Sequence, residues 1–215
     1  MSDLKAFLNA DDFRKGLEEL DKEMANDPYL VAFAPIEILT AGGFLAVWYL
    51  KSREATGDLD YIIHPEWSTD DEIKEPFHEA VLKVGKKLNF NRKWMNEDMK
   101  LFTTGATDER LFKQSQEENL VLFRGNNILV RAAPIEWALE RKLRRIYAGG
   151  RDRKAEFDLS DAVAMLKNLK DTKGPLDREY IRTLNMNGFD VVPNDHTMNR
   201  VAAEFQRVYG EEAFA

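Results

Sequence analysis

The stretch IEILTAGGFLAVWYLKSREATGDLDYII, residues 36–63, restricts the fold more than any other part of the chain. It holds two short apolar runs, IEILT and DLDYII, that read as strands. Between them Gly42-Gly43 opens a mostly apolar run, FLAVWYLKSR, that reads as a buried helix. A strand, a glycine turn, a helix and a second strand in so short a span demand a sheet with a helix packed on it. The second strand also carries Asp58 and Asp60, although Asp disfavours strands. Side chains two apart on a strand share a face, so both carboxylates project together, about 6.6–6.8 Å apart along the backbone.

The rest of the chain gives clear punctuation. Residues 11–25 form an amphipathic pattern with Phe13, Leu17, Leu20 and Met24 on one face, Asp11 or Asp12 as cap, and Asn-Asp-Pro at 26–28 as stop. Ser68 or Thr69 is expected to cap a helix over 70–88, with acids in its first turn and lysines in its last. NLVLFRGNNILVR, 119–131, reads as a hairpin around Gly125-Asn126. Pro134 starts a strong helix ended by Gly149-Gly150, and Asp158 is a cap for the next. Two further helices are predicted near 176–187, stopped by Gly188, and 195–209. Strands come first and helices later, which predicts an α+β chain: a short mixed sheet flanked by helices, then a helical C-terminal half. Two regions are expected. Residues 1–132 form an α/β core with an N-terminal helix, and residues 133–215 form a helical region packed on it.

Composition narrows the function classes. The chain has 215 residues, 44% hydrophobic and 32% charged, the profile of an ordinary globular protein. With no cysteine there is no thiol nucleophile and no Cys-based metal site. No apolar run reaches transmembrane length, and MSDLKAFLNADDF has no secretory pattern, so no membrane partner and a cytoplasmic location are expected. A net charge of −7 argues against a basic footprint spread over the whole protein. Residues 141–154, RKLRRIYAGGRDRK, are a local exception with seven Lys/Arg and one Asp; most read as a solvated helix face with a Glu140–Arg144 pair. His64, His78 and His196 lack metal-ligand spacing and read as surface or satisfied polar residues. Trp48 and Trp137 read as core anchors of their helices, and Trp94 stays open between core and site.

Two adjacent carboxylates repel unless a proton, solvent or a cation separates them. Mg²⁺ favours one or two carboxylates together with phosphate oxygens and water. A glycine turn opening a helix offers close backbone approach and N–H groups to phosphates. The unit strand, Gly-Gly, helix, strand, Asp-x-Asp therefore fits a metal-nucleotide site.

This segment resembles the signature of the polymerase-beta-type nucleotidyltransferase superfamily. REATGDLDYI is similar to the Arg-x-x-(Ser/Thr)-x-Asp-hydrophobic-Asp form of its small prokaryotic-type members, through Arg53 and Thr56. Two weaker likenesses follow. PIEWALERKLRRIYAGGRDRKAEFDLSDAVAML resembles a downstream Lys, Arg and Asp-x-x-Asp arrangement, with Lys142, Arg151 or Arg153, Asp158 and Asp161. WMNEDMKLF, 94–102, resembles a Trp-x-Asn-Asp segment of uncharacterised nucleotidyltransferase-like families.

The resemblance implies a nucleotidyltransferase-like core. In it Asp58 and Asp60 are catalytic and hold Mg²⁺ or Mn²⁺. Gly42, Gly43, Arg53, Thr56 and Lys142 contact a nucleoside triphosphate, and a nucleoside monophosphate passes to an acceptor: RNA, protein or a small molecule. The family pattern also calls for a third carboxylate on a later strand. The hairpin strands carry none, so Asp98 and Glu118 are the nearby candidates, with Arg153, Asp158 and Asp161 as supporting residues. Phe44 stands where the family often has Ser, and fourteen residues separate Gly43 from Asp58. Two alternatives follow: an inactive nucleotide- or partner-binding relative, and the toxin half of a toxin–antitoxin pair.

Overall fold

A computed structural model describes residues 4–149, 153–188 and 191–215, with side chains from 156 onward in the second stretch. The chain is α+β and divides into two compact units, Met1–Ala133 and Pro134–Ala215. The first holds all the strands among the described residues. The second is helical.

In the first unit β1 (Leu8–Asn9) leads into α1 (Ala10–Met24). Asn9 caps α1, not Asp11 or Asp12: its side chain accepts from Asp12 N–H while Asp12 accepts from the Asn9 N–H, a reciprocal capping box. Asp27 does more than stop α1; it caps a short second helix, α2 (Pro28–Ala32). Then come β2 (Ile36–Thr40), α3 (Gly42–Trp48), β3 (Ala55–Thr56), β4 (Leu59–Ile63) and α4 (Asp71–Leu88). The expected helix after the glycine pair stops at Trp48, and Asp70, rather than Ser68 or Thr69, caps α4. β5 (Met95–Asn96), a 3₁₀ turn (Asp98–Phe102), α5 (Gly105–Glu118), β6 (Val121–Arg124) and β7 (Ile128–Ala132) complete the unit.

The main sheet has the order β5-β4-β2-β7-β6, mixed in direction: β2 runs antiparallel to β4 and parallel to β7, and β5 runs parallel to β4. β1 pairs with β3 in a separate two-stranded ribbon. One face of the sheet carries Ile36, Ile38, Thr40, Leu59, Tyr61 and Ile63, all buried, with Tyr61 edge-on to Phe77 of α4. Alternation puts Asp60, Ile62 and His64 on the opposite face. There the His64 ring meets Phe112 of α5.

The helices α1 and α4 pack together. Trp94, just ahead of β5, lies against both. A Cβ added at Gly16 of α1 would fall 2.7 Å from its ring, and one at Gly85 of α4 would fall 2.8 Å from it. The indole N–H donates to the Val81 carbonyl at 3.0 Å, which resolves Trp94 as a core residue. At the far side of the sheet the β6–β7 hairpin is held to α1. The Asp21 carboxylate accepts from Asn127 N–H at 2.7 Å and Ile128 N–H at 3.2 Å, and Asn127 donates to the Asp21 carbonyl.

The second unit contains α6 (Ile135–Tyr147), α7 (Arg153–Lys173), α8 (Arg178–Arg182) and α9 (Asp195–Tyr209). α7 packs on α6 and on α9, burying Leu139, Leu143, Met165, Leu166, Val201 and Phe205. Two expectations are corrected. α7 begins before Asp158, so Asp158 sits inside the helix and cannot cap it. The helix expected over 176–187 is the short α8; Gly188, at φ +69°, lies beyond it and does not stop it. Gly149 does follow α6, at φ +84°; Gly150 lies outside the described residues.

The packing around Trp94 makes Gly85→Ala an overpacking substitution, expected to cost about 1–3 kcal/mol in denaturant unfolding. Gly105→Ala, which meets no atom within 4 Å, is the control and should cost nothing comparable. Tyr61 gives a second expectation. Burial pushes its phenol well above the ordinary range, and Glu97 adds to the effect. Above about pH 10 the unfolded phenol ionises while the folded one does not, so stability falls as pH rises. Tyr61→Phe should flatten that alkaline loss in urea melts.

Candidate functional site

The glycine pair and the two aspartates come together in the first unit. Thr40 and Tyr61 are register partners in β2 and β4, so Asp60 stands one step further along, beside the Ala41–Gly42 turn. A Cβ placed on Gly42 would lie 3.9 Å from Asp60 Oδ2. The Thr40 hydroxyl donates to the Asp60 carbonyl at 2.7 Å and fixes that backbone. Asp58 lies one residue before β4, off the paired part of the strand where the alternation placed it. Both carboxylates are half-buried, and so are Arg53, Gly42 and Gly43.

The two glycines have different reasons. Gly42 has φ +70°, the left-handed region that side chains rarely adopt. Gly43 is needed for space: a Cβ there would fall 2.9 Å from Thr56 Cβ and closer still to its hydroxyl. Thr56 is buried against Gly43, in register with Leu8 of β1. α3 has only seven residues, which limits the dipole it offers a phosphate. Phe44, where the resembled pattern has Ser, is a core residue with its ring edge-on to Phe13 and stacked on Trp48. Trp48 itself is half-buried and donates to the Leu122 carbonyl.

The strands flanking β4 answer whether an acid stands beside the pair. β5 places Asn96 opposite Asp60. Among the residues of β2 only Glu37 is acidic; it lies at the other end, where its carbonyl accepts from His64 N–H and its carboxylate pairs with Arg131 at 2.7 Å. Asp98 opens the 3₁₀ turn two residues past Asn96, its side chain paired with Lys93 at 3.3 Å and its N–H donating to Asn96 Oδ1. Glu118 ends α5, exposed, and accepts from Gln114 at 3.3 Å. No group of three or more His, Asp or Glu suited to a metal occurs among the described residues. Two carboxylates remain, a donor set that fits Mg²⁺ when phosphate and water fill the other positions.

Lys142 lies in the second unit. Its Nζ is 2.7 Å from Asp158 Oδ1 and 2.7 Å from Asp161 Oδ2, and Arg145 holds the other Asp158 oxygen at 2.9 Å. All three members of the central triad are at most 6% exposed. Asp161 thus pairs with Lys142; Arg153 opens α7 with its side chain outside the described residues, and Arg151 lies outside them altogether. The expected Glu140–Arg144 pair is present at 3.2 Å, and Glu140 also accepts from Met186 N–H at 2.6 Å. Trp137 is buried and donates to Asn187. His78 and His196 are exposed.

Sequence reasoning passed over the ribbon β1–β3, the short strand pairing of β5, and α5. Asn96 of the WMNEDMKLF likeness stands opposite Asp60, and Asn91, which the sequence did not single out, donates from its side chain to the Gly57 carbonyl at 2.7 Å. The signal was the asparagine-rich run NFNRKWMN, each Asn flanked by turn or strand residues. No protein-family model, curated protein or solved structure matches this chain.

Removing Lys142 takes the shared cation from two buried carboxylates and leaves Asp158 with Arg145. Lys142→Met should lower unfolding free energy by about 3–5 kcal/mol without any ligand present, read by urea denaturation.

Proposed function

We propose that Asp58 and Asp60 bind the divalent-metal complex of a nucleoside triphosphate and that the protein is a nucleotidyltransferase. In the proposed reaction an acceptor hydroxyl gives up its proton to solvent water and its oxygen attacks the α-phosphorus. The new phosphorus–oxygen bond forms as the bond to the bridging oxygen breaks, and pyrophosphate leaves. Mg²⁺ or Mn²⁺ would supply neutralisation of the phosphate charge. Asp58 and Asp60 would hold the metal, and Gly42, which keeps side-chain bulk away from Asp60, would leave room for the phosphates. The observation that carries this reading is the closeness of Gly42 to the Asp60 carboxylate, at the end of a strand–Gly-Gly–helix–strand unit.

One observation favours a second reading. Asn96 stands opposite Asp60 on the neighbouring strand, and Glu37 is engaged by Arg131. That arrangement supports a protein that binds the metal-nucleotide and does not transfer it.

Thermal unfolding with each of the four ribonucleoside triphosphates and millimolar Mg²⁺ or Mn²⁺ tests the shared part. A ligand that binds only the folded state raises the melting temperature, and at a hundredfold excess over its dissociation constant it stabilises by about 2.7 kcal/mol. The double substitution Asp58→Asn, Asp60→Asn should abolish the rise. Pyrophosphate release then separates the two readings. Release that is lost in Asp60→Asn supports transfer. A melting shift with no release supports binding alone.

A further inference from the structure

We propose that Asn91 is a positioning residue for the Asp58–Asp60 pair, an inference that rests on the metal-nucleotide reading of those carboxylates. Its side chain uses every group it has. The two Nδ2 hydrogens go to the Gly57 carbonyl at 2.7 Å and the Ala6 carbonyl at 3.3 Å. Oδ1 accepts from Lys93 N–H at 2.9 Å, which folds the 91–93 turn back on itself.

The backbone around it repeats the same linkage. Lys5 N–H donates to the Asn89 carbonyl and Asn91 N–H donates to the Lys5 carbonyl, at 2.9 and 3.0 Å. Trp94 N–H donates to the Asn91 carbonyl, and the Trp94 carbonyl accepts from Leu59 N–H at 2.8 Å. Residues 57 and 59 are therefore both tied to the segment 91–94, one by the Asn91 side chain and one by the Trp94 backbone. Asp58 lies between them, outside the paired part of β4. Asn91 holds the near side of Asp58 while the strand holds the far side. Loss of the Gly57 bond removes one of the restraints on the backbone that carries Asp58 and leaves the Thr40 bond to the Asp60 carbonyl in place.

Asparagine is the side chain that fits. Aspartate keeps the shape and the bond from Lys93 N–H but turns both donors into acceptors facing two carbonyls. Alanine loses all three bonds. The two variants also separate positioning from charge, because an added carboxylate near Asp58 would by itself tighten cation binding.

The test is Mn²⁺ titration of the full chain, read by the loss of the free-ion electron paramagnetic resonance signal. The samples are wild type, Asn91→Ala, Asn91→Asp and the Asp58→Asn, Asp60→Asn double variant. Hydrogen exchange at the Asp58 and Leu59 amides is measured alongside. The expected result is about tenfold weaker Mn²⁺ binding in both Asn91 variants, the size common when a residue orienting a metal ligand is removed. Faster exchange at Asp58 should accompany it. Wild-type affinity in Asn91→Asp, or tighter binding, overturns the proposal, as does unchanged exchange. If Asn91→Ala does not fold, the isosteric Asn91→Asp carries the same comparison. Equal Mn²⁺ binding by wild type and the double aspartate variant defeats the metal reading itself, and the positioning role with it. That pattern differs from a metal site that binds Mn²⁺ and ignores Asn91.

Discussion

The burial of Trp94 is the interaction on which the first unit depends. Its indole occupies the space that two glycines leave open, Gly16 on α1 and Gly85 on α4, and spends its one polar hydrogen on the Val81 carbonyl. Burying an aromatic ring of this size is among the largest single hydrophobic contributions a core can hold. It also has a directional consequence. Trp94 is the residue before β5, so the ring that closes the helix pair anchors the edge strand lying against Leu59 and Asp60. Core packing and the candidate site are thereby joined through one side chain and its backbone carbonyl.

The Gly42-Gly43 pair shows why a motif and its structural reason must be kept apart. One glycine serves the backbone, at φ +70°, and the other serves the packing of Thr56. Neither reason requires a phosphate, yet together they bring a turn free of side chains to the Asp60 carboxylate. The fold makes the opening; two half-buried acids give it a chemical character. In the second unit the logic is reversed. Lys142 and Arg145 offset Asp158 and Asp161, so the charges there balance before any ligand is considered.

What was legible in the sequence follows from the strength of each local signal. β2, β4, β7, α1, α4, α6 and α9 were readable because their apolar periods run long enough to dominate. The ends were less so. Asn9 and Asp70 cap where other acids or hydroxyls stood nearby, and a local reading cannot rank neighbours that differ only in backbone angle. α5 was missed because its apolar content is little more than Leu111 and Phe112, and β1, β3 and β5 because two residues carry no period at all. Of the candidate site, the closeness of Gly42 to Asp60 was implied by the order of elements. The role of Asn91 and the place of Asn96 opposite Asp60 were not, because they arise from partners far away in the chain.

The Asp21 clasp has a bearing on how the first unit comes into being. Its partners, Asn127 and Ile128, lie 106 and 107 residues further along. The first long helix of the unit is thus completed by nearly its last strand. During synthesis α1 can pack on α4 once that helix has emerged, but the Asp21 carboxylate meets Asn127 and Ile128 only after the hairpin has left the ribosome. Contacts of such long separation slow folding and lengthen the exposure of apolar surface. The moment at which a nascent chain of this kind can close its first unit is therefore set by the position of a hairpin, and not by the length of the helix it clasps.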